Sequence, residues 1–347
     1  MLLPHVRTSV ALYPEAMTNF NPSYSPTLKV ASILLCFAVF PLLLVGAGVT
    51  TKGAGMAYPD WPTSDGHLLN PPQWTEKEDT LWEHGHRLIG WFVGMLAITT
   101  VVLAHRSAST ANPLRLRLAW ATLLLIIAQG VLGGLRVIEV STALAMVHGI
   151  MGQVCFAMAF MLAVVSSRTW DELGSAVRSK SANATRVFAV SLIAIVLIQL
   201  IFGGWLRHFK ADLALAGHLV WLIIVCFAIG WMTLWVMGRH HRQRFLVQMT
   251  QYLAILLTVQ LFFGSLTFMI RTMNLSIGDP WSWLVPSVHL GMGALILGAS
   301  FAVAGVARRV LAAPKEPVTV PVTGAEADGA SNSPMFDRGA VDSPAAS

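Results

Sequence analysis

Four histidines have the residue type and spacing to bind a metal-centred cofactor. His86, His148, His218 and His289 stand near the starts of the second, fourth, sixth and eighth apolar segments of the chain. An ionisable side chain inside a bilayer is costly unless a partner satisfies it, which makes such residues functional candidates. Because two neutral imidazoles on facing helices can ligate a haem iron from opposite sides, the pattern predicts two haem sites with two histidines each.

Interfacial hydrogen bonding and zinc binding account for these histidines less well. A single interfacial histidine more often hydrogen-bonds a loop carbonyl than binds a ligand, but four in register favour ligation. Structural zinc needs four clustered Cys or His ligands, which two isolated histidines per site do not provide. The three cysteines, Cys36, Cys155 and Cys226, fall inside apolar segments, where cysteine usually packs as a small apolar residue.

An acidic residue accompanies only one of the four histidines. Glu83 stands three residues before His86, whereas the same offset before the other three histidines gives Ala, Leu and Pro. Residues i and i+3 of a helix share a face, so the Glu83 carboxylate is expected beside whatever His86 binds and could move protons there. A helix-start acid that is stabilised only by the helix dipole is the alternative interpretation.

Basic residues stand near the predicted outer ends of the helices, at the depth where haem propionates would emerge. Charge-assisted hydrogen bonds to carboxylates would suit them, although lone cations at a membrane surface also snorkel without any ligand. Gly90 and Gly94, which follow His86, would let a flat macrocycle approach the helix or would serve ordinary close helix packing. The candidate propionate contacts are Arg87, Arg136, Arg207, Lys210 and Arg271.

The composition places the chain in a membrane. Hydrophobic residues make up 55% of the sequence and charged residues 12%, whereas a soluble domain carries about 25% charge. The formal charge of +6 does not indicate nucleic-acid binding, because the basic residues alternate between loops and form no single patch. Eight apolar runs are long enough to cross a bilayer as helices. These predicted spans are 29–49, 86–104, 118–138, 144–165, 187–206, 214–237, 247–270 and 285–307.

The distribution of charge predicts the orientation of the spans. With the amino terminus in the cytoplasm, most loop Lys and Arg residues fall on the cytoplasmic side, as the positive-inside bias requires. Loop acids such as Asp60 and Asp79 then fall on the outer side. We therefore expect a multi-pass protein of a bacterial-type cell membrane, with both termini cytoplasmic and the four histidines near the outer face.

An internal repeat groups the spans into pairs. Residues 129–149 and 199–219 align, each running from a Gln through a Gly pair to a His, and weaker copies precede the other two histidines. A helix pair thus recurs four times. The predicted fold is an all-α integral membrane protein with two pseudo-symmetric four-helix bundles in tandem. The divisions are a cytoplasmic segment 1–27, a first bundle 28–170, a cytoplasmic linker 171–185, a second bundle 186–310 and a disordered tail 311–347.

Two motifs carry a resemblance to a known family. "EHGHR" (83–87) and "GAGMAYPDWPTSDG" (53–66), together with the Gly-Gly helix ends and the three later histidines, resemble the haem A synthases over roughly residues 30–308. The resemblance implies eight helices in two pseudo-symmetric halves. It also implies oxidation of the C8 methyl of haem O, through a hydroxymethyl group and a hydrated aldehyde, to the formyl group of haem A for cytochrome oxidase.

The same resemblance implies a role for each half. His86 and His148 would flank the substrate haem in the first half, where Glu83 would be catalytic. His218 and His289 would ligate a permanent haem b in the second half, which would pass electrons. This division agrees with the acid that accompanies only His86.

Some features of the sequence leave choices open. Some bacterial relatives carry a cysteine pair on the first outer loop, where this chain has Ser64 and no cysteine, so thiol-linked exchange is not expected. The roles of His67 and His84 are undecided.

The alternative function is a non-catalytic dihaem b-type electron-transfer protein; a transporter fits poorly because its site would lie near the midplane. Candidate partners are a haem O synthase and a second copy of this chain; the electron acceptor, whether membrane-bound or soluble, and the haem delivery route stay undetermined.

Overall fold

The computed structural model describes residues 25–107 and 113–314, which form eight long helices, one short helix and two short strands. All eight long helices have the length and composition to span a membrane, which confirms the predicted number of spans. The long helices are α1 Pro26–Thr51, α2 Glu78–Arg106, α3 Pro113–Ile138, α4 Thr142–Val165, α6 Ala182–Phe209, α7 Asp212–Arg239, α8 Arg244–Arg271 and α9 Trp281–Val310. The short elements are α5 Arg168–Glu172, β1 Val177–Arg178 and β2 Leu311–Ala312.

Helix starts differ most from the hydropathy pattern at α2. The predicted span begins at residue 86, whereas the helix begins at Glu78. Its first turn contains Glu78 and Asp79, whose charges lower the hydropathy but favour a helix start through the dipole. Serine side chains cap other starts: Ser25 Oγ accepts from the Leu28 amide of α1. The ends of an apolar run therefore mark the lipid-facing part of a helix and not its full length.

The helices pack as consecutive pairs. The largest helix contacts are α1 with α2, α3 with α4, α6 with α7, and α8 with α9. Contacts of α2 with α3 and of α1 with α4 close one ring of four helices, α1 to α4, which we call the first ring. Contacts of α7 with α8 and of α6 with α9 close the second ring, α6 to α9. This pattern fits the expected pair of four-helix bundles. Helices α4 and α9 pack against each other where the two rings meet.

Small residues make α9 the most buried helix among those described. Gly291 lies against Leu44 and Phe40 of α1, and Gly298 lies against Phe160 of α4. A side chain at either position would meet these neighbours, so glycine allows the helices to approach closely. By contrast, α7 and α8 expose large apolar side chains such as Phe227 and Phe262. An apolar exterior of this kind matches contact with lipid.

Charged and aromatic contacts join the two rings at the end of the molecule that carries the four histidines, which we call the histidine end. Lys52 Nζ, just after α1, lies 2.5 Å from a Glu78 carboxylate oxygen and 3.1 Å from one of Asp279. Trp82 of α2 and Trp283 of α9 pack edge to face with ring centroids 4.7 Å apart. These contacts fix the start of α2 against the segment that precedes α9.

The opposite end is closed by the segment after α4. The buried guanidinium of Arg115 pairs with Asp171 in α5 at 2.5 Å, and β1 pairs in parallel with β2. Residues 311–347 were expected to be a disordered tail, but Leu311 and Ala312 form β2 because their backbone groups pair with Val177 and Arg178. Residues 315–347 of that prediction, and residues 1–24 of the expected segment 1–27, lie outside the described residues.

Candidate haem sites at the histidine end

The four predicted ligands lie at similar depth inside their helices. His86 and His289 follow the first residues of α2 and α9 by eight positions, and His148 and His218 follow those of α4 and α7 by six. At 1.5 Å per residue these offsets correspond to about 9–12 Å along the helix. The four histidines therefore share one end of the molecule.

In the first ring of helices, each histidine imidazole packs against a glycine of the preceding helix. A Cβ built on Gly46 of α1 would lie 2.8 Å from Cε1 of His86. One built on Gly133 of α3 would lie 3.0 Å from Cε1 of His148. Carbon atoms in ordinary contact lie about 3.5–4.0 Å apart, so only glycine leaves room for the imidazole in these positions.

In the second ring of helices, the same imidazole atom, Cε1, packs against a glycine of the preceding helix. A Cβ built on Gly203 of α6 would lie 3.2 Å from Cε1 of His218, and one built on Gly264 of α8 would lie 2.9 Å from Cε1 of His289. The glycine and histidine are thus one unit of the internal repeat. The Gly pairs noticed in the sequence owe part of their spacing to this contact.

Glutamine side chains hold two of the histidine turns. Gln129 Nε2 donates to the His148 carbonyl at 2.9 Å, and Gln199 Nε2 donates to the His218 carbonyl at 3.1 Å. The Gln199 amide nitrogen also lies 3.2 and 3.3 Å from the two His218 ring nitrogens. Because lipid offers no competing partner, such bonds between helices fix the orientation of the histidine turn.

The geometry of His218 and His289 suits one iron between two imidazoles. Their ring centroids are 6.4 Å apart, with 75° between the ring planes. A metal–imidazole bond is about 2 Å and the ligating nitrogen lies about 1.1 Å from the ring centroid, so two imidazoles on opposite sides of one metal have centroids about 6.2 Å apart. The observed separation is close to this value.

Three of the four imidazoles also have a buried nitrogen without a hydrogen-bond partner among the described residues. The Nδ1 atoms of His86, His148 and His289 are buried and have no hydrogen-bond partner among the described residues. A buried imidazole with an unpartnered nitrogen is costly in an apolar setting. Iron would bond the other ring nitrogen, Nε2, which leaves the proton on Nδ1 and so fixes the tautomer of each imidazole. A Cβ on Gly90 or Gly94 would meet nothing within 4 Å, which leaves open space along α2 beyond His86. The residues present therefore fit a haem.

Glu83 is buried and fully engaged. It is 2% exposed, and its Oε2 accepts from the backbone amides of Ala57 at 2.6 Å and Tyr58 at 3.1 Å. Its Oε1 accepts from Arg87 at 2.5 Å. Glu83 therefore ties α2 to the connection between α1 and α2, residues 52–77, which we call the α1–α2 loop.

Arg87 is the second tie between α2 and this loop. Its Nη1 donates to the carbonyls of Asp60 at 2.8 Å and Thr63 at 2.6 Å. The guanidinium also lies 5.8 Å from the centre of the Tyr58 ring. These bonds use much of its donor capacity, so the structure gives Arg87 a role in holding the loop. Contact of Arg87 with a propionate stays a prediction.

His84 and Ser64 complete the attachment of the loop. His84 is 1% exposed, its Nε2–H donates to the Leu69 carbonyl at 3.0 Å, and its Nδ1 accepts from the Ser64 hydroxyl at 2.9 Å. Both ring nitrogens are thus occupied within the loop. The ring of the exposed His67 lies 2.7 Å from the Asp65 carbonyl, and its backbone pairs with that of Ser64. These contacts give His84 a structural role that the sequence had left undecided.

Asp60 organises the turn of the loop. Its Oδ2 accepts from the Thr63 hydroxyl at 2.5 Å and from the Gly66 amide at 2.9 Å, and its Oδ1 accepts from the Asp65 amide at 2.8 Å. Burial raises the pKa of this carboxyl, but the hydrogen bonds outweigh that effect and lower the pKa to about 2. The loop is therefore built around an ionised carboxylate.

The other candidate propionate contacts have different settings. Arg136 has no hydrogen bond or ion pair with any described residue; its Nη1 lies 2.8 Å from a Cβ position on Gly55 in the loop. Arg207 donates to the Ala47 carbonyl at 2.7 Å and to the Thr51 hydroxyl at 2.8 Å. Lys210 and Arg271 are exposed. Among the five candidates, Arg136 is best placed to bind a carboxylate of a haem beside His86 and His148.

Sequence reasoning missed His208, next to Arg207 in α6. Its Nε2 lies 3.8 Å from a Cβ position on Gly149, the neighbour of His148. A side chain of the second ring therefore reaches the first site. The signal that could have found it was a histidine at the outer end of a predicted span, but only the packing of α6 against α4 shows what it faces.

The fold and the site define a multi-pass helical membrane protein built from repeated glycine–histidine helix pairs. Comparison with known proteins agrees. The COX15-CtaA family model, described as "Cytochrome oxidase assembly protein", matches residues 29–221, more than half of the chain. The chain therefore belongs to this family of cytochrome oxidase assembly proteins, the family of the haem A synthases.

Curated relatives carry one name. "Heme A synthase" of Alkalihalophilus pseudofirmus is 25% identical over 277 residues, covering 72% of this chain and 90% of the relative. "Heme A synthase" of Symbiobacterium thermophilum is 25% identical over 195 residues, and that of Shouchella clausii is 29% identical over 197 residues. Each of the latter two alignments covers 55% of this chain and 62% of the relative.

Proposed function

We propose that this protein is a haem A synthase, an oxidoreductase that converts the C8 methyl of haem O into the formyl group of haem A by successive hydroxylations. The observation that carries the proposal is the set of four glycine-backed histidines, two in each ring, with a buried carboxylate beside only one of them. The names of the curated relatives support the same activity. Haem A formed in this way would serve cytochrome oxidase assembly.

The first ring would hold the substrate haem. His86 and His148 would ligate its iron, which supplies the oxidative chemistry at the porphyrin edge. Arg136, which has no partner among the described residues, would bind a propionate through charge-assisted hydrogen bonds and so fix the porphyrin orientation. Glu83, which is buried one helical turn before His86, would accept or return protons during the hydroxylations. For this, Oε1 would have to exchange its bond with Arg87.

The second ring would hold a permanent haem b. His218 and His289 face each other at a separation that suits one iron, and no Asp or Glu lies within the described part of α7 or α9 near them other than Asp212 at the start of α7. Such a site would carry electrons away from the first ring without reacting itself. A non-catalytic dihaem cytochrome would not need Glu83, so the buried acid favours the synthase.

Conversion of haem O tests the proposal. The protein would be expressed with a haem O synthase in cells that lack haem A, and extracted haems would be separated by chromatography. We expect a haem A peak only when this protein is present. Unchanged haem O together with a b-type spectrum would support the electron-transfer alternative and refute the synthase.

The role of Glu83 is tested in the same cells. Glu83→Gln keeps the size of the side chain and its acceptor for the Ala57 or Tyr58 amide but removes the carboxylate. We expect retained haem b and a loss of haem A of at least about a hundredfold, since a positioned proton-transfer group contributes about 10²–10⁴ in rate. Undiminished haem A formation would exclude a catalytic role.

A further inference from the structure

The four helix pairs are not equal in how the histidine turn is held. In three pairs a glutamine stands four residues before the glycine that backs the histidine: Gln129, Gln199 and Gln260. At the corresponding position before Gly46 the chain has Leu42. Leu42, the residue that departs from this pattern, belongs to the helix pair that contains His86.

The glutamines reach the histidine turns of the neighbouring helices. Besides its bond to the His148 carbonyl, Gln129 Nε2 lies 3.1 Å from a Cβ position on Gly152, one turn later. Gln260 Nε2 lies 3.7 Å from a Cβ position on Gly293, one turn after His289. Gln129 and Gln260 thus both approach the helix turn that follows the histidine.

Among the residues that the structure describes, no side-chain hydrogen bond from α1 holds the turn of His86. Leu42 is partly buried against apolar neighbours and offers no donor. A Cβ on Gly90, one turn after His86, would meet nothing within 4 Å. Pro41, directly before Leu42, also removes a backbone donor from the middle of α1.

The α1–α2 loop holds this turn from outside. Glu83 and Arg87 bind backbone groups of this loop, and Trp82, also on α2, packs on Gly48 of α1, where a Cβ would lie 2.5 Å from its ring. These residues surround His86 on α2. The position of His86 is therefore set by a loop at the membrane surface, whereas His148 and His218 are set by hydrogen bonds between helices.

We propose that His86 is the exchangeable iron ligand, which releases the porphyrin when substrate enters and product leaves, and that Leu42 is the positioning residue that permits this. The inference rests on the proposed function, because only a synthase must exchange one haem and keep the other. His148 and His218 stay fixed during exchange because glutamines donate hydrogen bonds to their carbonyls, and Gln260 packs beside the turn that follows His289.

Haem transfer tests the proposal without any conversion of haem O. Protein reconstituted with excess ferric protoporphyrin IX would be mixed with excess apomyoglobin, and haem loss would be followed by absorbance. We expect a fast phase from the first ring and a slow phase from the second. His289→Ala assigns the slow phase, because it removes a ligand of the second ring only.

Leu42→Gln adds the missing donor, and Leu42→Met is its matched control without one. An interhelical hydrogen bond in a membrane is worth about 0.6 kcal/mol on average, which is about threefold in rate. We expect Leu42→Gln to slow the fast phase at least about threefold while Leu42→Met and the slow phase stay unchanged. Equal fast phases in folded Leu42→Gln and wild type would overturn the proposal.

Gln199→Met makes the reverse change in the second ring. It keeps the side-chain length but removes the donor to the His218 carbonyl, and we expect the slow phase to accelerate at least about threefold. If Leu42→Gln does not fold, this variant decides alone, and an unchanged slow phase overturns the inference. A wild-type protein that binds no haem would overturn both the inference and the proposed function.

Discussion

The contact between a glycine and each histidine ring makes a sharp prediction at Gly264. A methyl group there would lie 2.9 Å from Cε1 of His289, about 0.6 Å inside ordinary carbon contact. The ring cannot move away freely, because its centroid lies 6.4 Å from that of His218 and two metal bonds already require about 6.2 Å. Gly264→Ala must therefore strain the iron site or displace the imidazole.

The expected loss of haem affinity in Gly264→Ala follows from the cost of overpacking. Extra methyl groups in a packed interior cost about 1–3 kcal/mol, which corresponds to a loss of about fivefold to about 150-fold in haem affinity if the whole cost falls on the haem-bound form. The assay is the ratio of haem b to protein after purification, together with the rate of haem loss. Gly230→Ala in α7 is the matched control, since a Cβ there meets nothing within 4 Å.

Gly230→Ala and Gly264→Ala are expected to change the stability of the protein in opposite directions. Replacing a helical glycine by alanine without a clash stabilises by up to about 1 kcal/mol, so Gly230→Ala should keep haem b and raise Tm slightly. Gly264→Ala should lose haem b even if the chain remains folded. A Gly264→Ala protein with wild-type haem content and a dissociation rate within twofold would refute the argument that this glycine makes room for the ligand.

Three further predictions test the rest of the site. His218→Ala or His289→Ala should deplete the low-spin haem b spectrum, and full retention in both variants would contradict their assignment. Gly133→Ala should weaken haem binding in the first ring, whereas Gly130→Ala, one turn away with no neighbour within 4 Å, should not; equal effects would argue against the His148 contact. The pKa of Asp60 falls from 3.8 to about 2, so its carboxylate stabilises the loop above pH 4 and this is lost as the pH falls towards 2. The Tm difference between wild type and Asp60→Asn should shrink over that range, and a pH-independent difference would exclude the ionised carboxylate as its cause.

Much of the helical scaffold could be predicted because a bilayer imposes strong rules. Uninterrupted apolar runs predicted eight spans, and the described residues form eight long helices at those places. The repeat aligned each histidine with a glycine on the preceding helix, since one packing contact needs both residues. Composition could not show that α2 begins at Glu78, because charged residues in a first helical turn look like loop in a hydropathy pattern.

The surroundings of Glu83 show where sequence reasoning ended. Helical spacing placed Glu83 on the face of His86, but not its bonds to the Ala57 and Tyr58 amides. Those amides belong to a loop whose path depends on Asp60, Ser64 and other distant contacts, and a period of 3.6 residues carries no information about them. His208 was missed for the same reason, because its neighbour lies in another ring.

The difference between the two rings lies in the α1–α2 loop more than in the helices. Both rings share the helix pair and the glycine behind the histidine, and α1 departs from this pattern by carrying Leu42 where α3, α6 and α8 carry glutamine. The loop adds three ties to α2, through Glu83, His84 and Arg87, at the one turn that lacks a glutamine. If Glu83 moves protons, its bond with Arg87 must open, and opening it loosens the same loop that positions His86. Under the proposed function, proton transfer and release of the porphyrin would then depend on one set of contacts.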